Sequence, residues 1–520
     1  MSVPAIRAAV LREAILSGGE FALLDVREAQ HFVAAHILTA SNAPMSRLEL
    51  VAPRLVPRRA VRIVLCDGGD GIAVKGAAVL ASLGYRNVET LQGGTAAWRD
   101  AGFELFEGSN VPSKAFGEVV ELACHTPALD AEEVQQRIER GDDLVILDSR
   151  PWYEYQDFNI PGGVDCPNSE LALHVRDLVP DPETAIVVNC AGRTRSIIGC
   201  QTLRNAGVPN PVFALRNGTI GWEWAGLKLE HGAGRRHGKA SDGARRWSLA
   251  QCDALAARAG VGIFEPGDLD AWRNEVETHS LHIFDVREPE AFATGSLPGA
   301  VSAQGTQLVQ ATDEYFAVRD ARVVLVDDTG VQTRMTASWL KQLGHPHVAV
   351  LDVDVREMAV PHGPVAPPDA PCVTPLEAHG DGWSLLDLSR SLDFLERHPK
   401  GAVWGLRSDL KALMEKLPEG RHVAVLDDED GHLAALAVRE LEALGRTARV
   451  LFGGTRAWAE AELPVASGCE GMVSAMVDTL DMPFDLTGDA DAAKRAYIDW
   501  ELQLPEQIER DGLLTFSPLT

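Results

Sequence analysis

The sequence has no Cys-x-x-Cys pair and no cluster of histidine and cysteine at metal-ligand spacing. Neither a zinc site nor a dithiol redox motif is therefore expected, and no metal or other cofactor is called for. Its eight cysteines, Cys66, Cys124, Cys166, Cys190, Cys200, Cys252, Cys372 and Cys469, stand singly. Positive charge is also scarce: 48 Lys and Arg face 75 Asp and Glu, a formal net charge of −27. That balance disfavours nucleic acid and an anionic membrane surface as partners. No apolar run is long enough to span a bilayer. Residues 1–17 carry apolar positions at helical spacing, interrupted by Arg7, Arg12 and Glu13, without the apolar core and cleavage site of a signal peptide. The expected location is cytoplasmic. What remains is a globular chain, and 520 residues are too many for one core.

The chain repeats itself. Leu23-Leu24-Asp25-Val26-Arg27, Ile146-Leu147-Asp148-Ser149-Arg150 and Ile283-Phe284-Asp285-Val286-Arg287 match, and Leu385-Leu386-Asp387-Leu388-Ser389 is a weaker fourth copy. An aromatic follows each at the same interval: Phe32, Tyr155, Phe292 and Phe394. Each copy continues to a second apolar strand, at 61–65, 185–188, 322–326 and 422–426, and then to a helix that stops near Gly84, Gly207, Gly344 or Gly445, where glycine suits the C-terminal cap. Copies one, two and four close on Gly93-Gly94 to Trp98, Gly218 to Trp222 and Gly453-Gly454 to Trp458, whereas Leu351-Asp352-Val353-Asp354 of the third lacks both glycines and tryptophan. Strands alternating with helices predict an α/β fold of four tandem domains, each a small parallel β-sheet covered by helices on both faces.

The expected domains are residues 1–112, 113–232, 247–362 and 372–468, followed by a helical tail, 469–520. Asn110 to Lys114, a glycine-rich basic linker from Gly232 to Gly243, and a proline-rich stretch from Pro361 to Pro371 separate the copies. The linker divides the protein into two halves. A helix from Asp491 to Arg510, interrupted by Pro505, is expected to pack against a neighbouring domain.

Chemistry is expected at the loop Cys190-Ala191-Gly192-Arg193-Thr194-Arg195-Ser196, between the strand 185–188 and the helix 197–205. Loop amides and the helix N-terminus point toward the sulfur, and Arg193 and Arg195 lie close in sequence; each favours a thiolate inside an anion-binding cradle. A buried structural cysteine is the bland alternative, but it needs neither Gly192 nor two arginines. His174 and the other histidines have no consistent relation to Cys190, so the loop itself must activate the sulfur. Asp148 and Arg150 read as a brace for the loop, while Trp152, Tyr153, Trp222 and Trp224 are candidates for the pocket mouth.

The Cys190–Ser196 loop, the Asp-x-Arg strand ends and the Gly-Gly-x-x-x-Trp closes resemble the rhodanese domains, a family of sulfurtransferases. The resemblance covers nearly the whole chain to about Gly468. It implies four rhodanese-like domains and a persulfide on Cys190, with thiosulfate as donor and cyanide or a small thiol as acceptor. It carries the substrate-binding role to Ala191, Gly192, Arg193, Thr194, Arg195 and Ser196, with Arg150, Trp152, Trp222 and Cys66 as second-tier candidates. In the first copy, Cys66-Asp67-Gly68-Gly69-Asp70-Gly71-Ile72 has a cysteine but aspartates in place of arginines, and these oppose a thiolate and an anionic donor. Copies three and four, with Asp327-Asp328-Thr329-Gly330 and Asp427-Asp428-Glu429-Asp430-Gly431, have no cysteine and are expected to be inactive.

Three alternatives follow from the same resemblance. Mercaptopyruvate is a less favoured donor, because the family's enzymes for it have uncharged loops. Phosphatases sharing the fold have a loop one residue longer that ends in arginine. The interval from Cys66 to Gly84 is one residue longer than that from Cys190 to Gly207, but Ile72 occupies the arginine position. The third alternative is a non-catalytic persulfide carrier, or a scaffold for a partner enzyme of sulfur metabolism.

Overall fold

The structure, a computed structural model, describes residues 3–362, 368–427, 430–479 and 489–520. Parts of the junction 361–371, Asp428 and Glu429 of the fourth loop, and part of the polar run after Cys469 lie outside the described residues. Among the described residues no helix is long and apolar enough to cross a membrane.

Each copy builds its sheet on the two strands marked by the repeat. Ala185–Asn189 is buried from Ile186 onward, as a β-branched apolar run must be when helices cover both faces. In the second copy the order is Ala128–Leu129, Val212–Leu215, Ala185–Asn189, Leu144–Asp148 and Val164–Asp165, every pair parallel. The third copy repeats it with Gly262–Phe264, Val348–Leu351, Arg322–Val326, Leu281–Asp285 and Val301–Ser302. The fourth does so with Cys372–Val373, Ala448–Leu451, His422–Leu426, Trp383–Asp387 and Val403–Trp404. The first copy has Ala5–Ile6, Asn87–Leu91, Arg62–Cys66 and Phe21–Asp25, with Ser41–Asn42 also pairing the last. A strand borrowed from the third copy, Val318–Arg319, adds to this sheet antiparallel to Phe21–Asp25.

The copies do not form two separate halves, which corrects the reading of the linker. Copies two and three share one continuous core: Phe116, Ile197 and Ile198 pack with Phe284, Met335 and Trp339, and Trp339 Nε1 donates to Thr202 Oγ1 (2.9 Å). The glycine-rich basic stretch lies along this seam. Arg235 Nε donates to the Gly163 carbonyl (2.9 Å), and Arg236 bridges Asp165 and Glu288. Within the expected linker, Ser241 already caps a helix, Asp242–Ala259, through Ala244 N. Likewise Val111 to Lys114 form the first turn of the helix Val111–Cys124, with proline early in that turn, rather than an irregular boundary.

The tail helix runs from Ala490 to Asp511 straight through Pro505, which corrects the expected interruption. Tertiary packing holds it: Leu504 and Ile508 are buried in the first copy's core, and Arg12 pairs with Asp511 at 3.4 Å. Burial of this apolar face outweighs the one missing helical donor.

Candidate active site

Cys190 follows the end of the strand Ala185–Asn189, and the helix Thr194–Asn205 starts four residues later. The loop is held from behind by the short helix Gly218–Trp224: Thr219 N donates to Cys190 O (2.8 Å) and Ile220 N to Ala191 O (3.0 Å). Gly218 has φ +54°, and a β-carbon there would stand 2.2 Å from the Cys190 carbonyl oxygen. Only glycine permits this approach, which explains why the glycine recurs in the closing motif. Cys190 is 2 % exposed. Ser196 Oγ donates to its Sγ (3.1 Å), and the Ser196 amide also favours the thiolate.

Electrostatics around the sulfur differ from the sequence expectation. Burial pushes the Cys190 thiol up from its ordinary value; Arg195 and Ser196 pull it down but do not win. Arg195 is held by Glu154 in a bidentate pair of 2.6 and 2.8 Å, a carboxylate that opposes its field at the sulfur. Arg193 turns away from the expected anion-binding role. Its guanidinium is engaged by Glu118 (2.7 and 2.7 Å), Glu121 and Asn217, and using it to hold a donor would break a buried ion pair. It anchors the loop to the helix Val111–Cys124, where Thr194 packs against Gly117.

A cavity of ≈ 450 Å³ opens over Cys190, Ala191, Gly192, Arg193, Thr194 and Arg195. Four separate parts of the chain line it. Lys114 comes from the first-to-second junction, Tyr153 and Glu154 from the second copy, Gln307, Gln310 and Glu314 from the third, and Tyr497 and Glu501 from the tail. Lys114 is 5 % exposed, with its ammonium 4.9 and 4.7 Å from the ring centroids of Tyr497 and Trp500. Burial lowers its pKa to about 8, with Glu501 opposing the shift. Sequence reasoning missed Lys114, Glu154, Tyr497 and Glu501. Lys114 lies in a stretch that reads as a boundary, and nothing local in the tail marks residues that reach a loop more than 300 positions earlier.

The other second-tier candidates are not in this lining. Arg150 is fully buried, pairs with Asp148 at 2.9 and 2.8 Å and donates to Phe158 O; Asn189 Nδ2 joins the same carboxylate at 2.9 Å. It braces the strand ends. Trp222 is core, with its Nε1 donating to Lys228 O (3.2 Å), and Trp152 lies under the Arg236 guanidinium. Of the four aromatics considered for the mouth, Tyr153 lines the cavity.

Strand register corrects the placement of Cys66. Asp148 pairs with Asn189, and Asp25 pairs with Cys66, so Cys66 corresponds to Asn189 and Asp67 to Cys190. Asp285 opposite Val326 and Asp387 opposite Leu426 put Asp327 and Asp427 at that same place. The backbone agrees: Thr95 N donates to Asp67 O as Thr219 N does to Cys190 O. From Asp67 to Gly84 the interval equals that from Cys190 to Gly207, which removes the extra loop residue. Cys66 itself is fully buried, its thiol pushed well up by burial and by the neighbouring Asp25. In the other copies the aspartate fills its own loop. Asp67 accepts from Gly69 N (2.8 Å) and Ala73 N (3.0 Å), Asp327 from Gly330 N (2.8 Å) and Gln332 N (3.1 Å), and Asp427 from Ala434 N (2.9 Å).

One group of metal-ligating residue types, not flagged by sequence spacing, lies at the seam of copies two and three. The ligand atoms of Glu170, His174 and His237 fall within 4.8 Å of one another. The two imidazoles stack 3.9 Å apart, and His174 Nε2 approaches Glu170 at 3.3 Å.

Comparison with known proteins adds to this geometry. The family model described as Rhodanese-like domain matches residues 8–101, 130–225, 265–358 and 375–461. The crystal structure of a thiosulfate sulfurtransferase from Pseudomonas aeruginosa superposes with a TM-score of 0.94 at 44% identity, covering 100% of both chains. Among curated proteins, an HTH-type transcriptional regulator of Mycobacterium tuberculosis is 34% identical over 119 residues, 22% of this chain and 50% of that protein. An uncharacterised protein of Synechocystis sp. is 31% identical over 105 residues, 19% of this chain and 55% of its own. The chain thus spans about half the length of the curated relatives it matches.

Proposed function

The chain belongs to the rhodanese-like domain family, and on that premise we propose that it is a sulfurtransferase moving the sulfane sulfur of thiosulfate to a small nucleophilic acceptor through a persulfide on Cys190. The observation that carries the reading is a lone cysteine at the nucleophile position of one copy, beneath a cavity, where the other three copies have aspartate. The full-length similarity to a thiosulfate sulfurtransferase supports thiosulfate as donor.

In this mechanism the Cys190 thiolate attacks the outer sulfur of thiosulfate. The new S–S bond forms at Sγ, the bond between the two thiosulfate sulfurs breaks, and sulfite leaves with that electron pair. Dividing the transfer into loading and discharge predicts ping-pong kinetics. Arg195 and Lys114 are the cations that line the cavity without the double carboxylate clamp of Arg193. They hold the donor's sulfonate, while the loop amides and Ser196 support the persulfide.

Intact mass spectrometry tests the reading. Thiosulfate should add the mass of one sulfur to the wild type, cyanide should remove it, and Cys190→Ser should never gain it. A wild type with a free Cys190 thiol that stays unmodified would sink the proposal.

A further inference from the structure

The tail helix does more to the cavity than close it. Glu501 is 1 % exposed, and its Oε1 accepts from Tyr497 Oη at 2.8 Å. Its Oε2 is buried and has no hydrogen-bond partner among the described residues. That oxygen lies 3.6 Å from where a β-carbon on Gly192 would stand, above the Cys190 loop, and the Glu501 charge bears directly on Cys190. A carboxylate at this place opposes an anionic nucleophile and hinders the binding of an anionic donor. A buried polar atom left without a partner is costly, so its position calls for a use. Lys114 stands near enough to favour the charged form, while burial raises the Glu501 pKa. A carboxylate poised this way takes up a proton readily.

We propose that Glu501 is the general base for a thiol acceptor, and hence that the acceptor is a small neutral thiol. The inference rests on the persulfide reading above. The acceptor's S–H proton passes to Glu501 Oε2 as its sulfur forms a bond to the outer sulfur of the Cys190 persulfide. The bond between that outer sulfur and Sγ breaks, and its electron pair returns to Sγ. The proton then leaves Glu501 with the product persulfide. Size agrees with this class: the four-part lining encloses ≈ 450 Å³, room for a small molecule beneath the tail helix.

The test separates the two half-reactions. The full-length protein is loaded with thiosulfate and discharged in stopped flow by a small thiol, at pH 7 and again above the pKa of that thiol, and by cyanide above the pKa of hydrogen cyanide, where the ion is the acceptor. Glu501→Gln should still load, discharge to thiol at pH 7 roughly 100-fold more slowly, the lower end of what a general base contributes, and recover as solution supplies the thiolate. Cyanide ion, which has no proton to give, should discharge it at near the wild-type rate. Tyr497→Phe removes the partner of Oε1 and should show a several-fold deficit with the same recovery at high pH; it serves if Glu501→Gln does not fold. An equal deficit at both pH values and with both acceptors, or no deficit, overturns the base assignment while leaving the persulfide intact. A wild type that never loads overturns both.

Discussion

Cys190 and Asp67 hold the same place in two loops built alike, and what surrounds them differs. In the first copy Asp67 puts its own carboxylate among the loop amides, and Gly68 to Gly71 are exposed. In the second, Cys190 to Thr194 are buried beneath the tail helix and the third copy, and Arg195 stands where the first copy has Ile72. An aspartate saturates the cradle from within. A cysteine leaves it able to stabilise a charge that arrives on a further sulfur. The two loops thus differ in three ways: whether the residue at this place fills the cradle, whether a cation stands beside it, and whether a roof makes a pocket over it.

The strongest way to break that comparison is Cys190→Asp. It should abolish sulfur loading in the mass assay, while the melting temperature by calorimetry stays within a few degrees of wild type, because the new carboxylate accepts from the loop amides as Asp67 does. A variant that fails to fold would show that the two loops are not equivalent.

Next in size is pH. Burial holds the Cys190 thiol above its ordinary value, so the thiolate is the minor form near neutrality and its fraction grows as pH rises toward the folded pKa. Single-turnover loading by thiosulfate should therefore climb about tenfold per pH unit below that pKa. A rate flat from pH 6 to 9 would mean the thiolate is already formed.

Glu154→Gln sharpens the role of the cation. It removes the partner of Arg195, so loading at pH 7 should rise several-fold and the pH profile should move to lower pH. No movement of the profile would show that Arg195 does not act on the sulfur.

The smallest expected effect is in the first copy. Asp67→Ala leaves the Gly69 and Ala73 amides without their acceptor and should cost about 1–3 kcal/mol of stability in denaturant melts, with sulfur loading unchanged. A loss of loading would show that the first copy's loop takes part in the chemistry.

Much of this fold could be read from particular residues. The Asp-x-Arg strand ends marked three of the four sheets, because a buried aspartate at a strand end needs a partner, here its own guanidinium: Asp148–Arg150 and Asp285–Arg287 are such pairs. The glycine of the closing motif could be read because no side chain fits against the Cys190 carbonyl. Cys66 misled because a cysteine is conspicuous, whereas register is set by pairing with Asp25, one residue off from the eye's alignment. The tail was legible as a helix that packs against a neighbouring domain, but not as part of a site. Its role at the cavity depends on Leu504 and Ile508 docking into the first copy and so aiming Tyr497 and Glu501 at the second.

The sequence by itself determined the repeat, the α/β architecture and the one copy whose loop combines a cysteine with two arginines, since these depend on local periodicity and on residue types at fixed spacing. Tertiary structure alone decided which cations remain for a ligand. Arg193 and Arg195 are alike in sequence, and only the docking of Glu118, Glu121 and Glu154 separates a loop anchor from a site residue. It also decided the roof, for a cavity lined from four distant segments has no local signature: burial of apolar faces brings them together, and the chemistry follows from where that burial leaves their polar atoms.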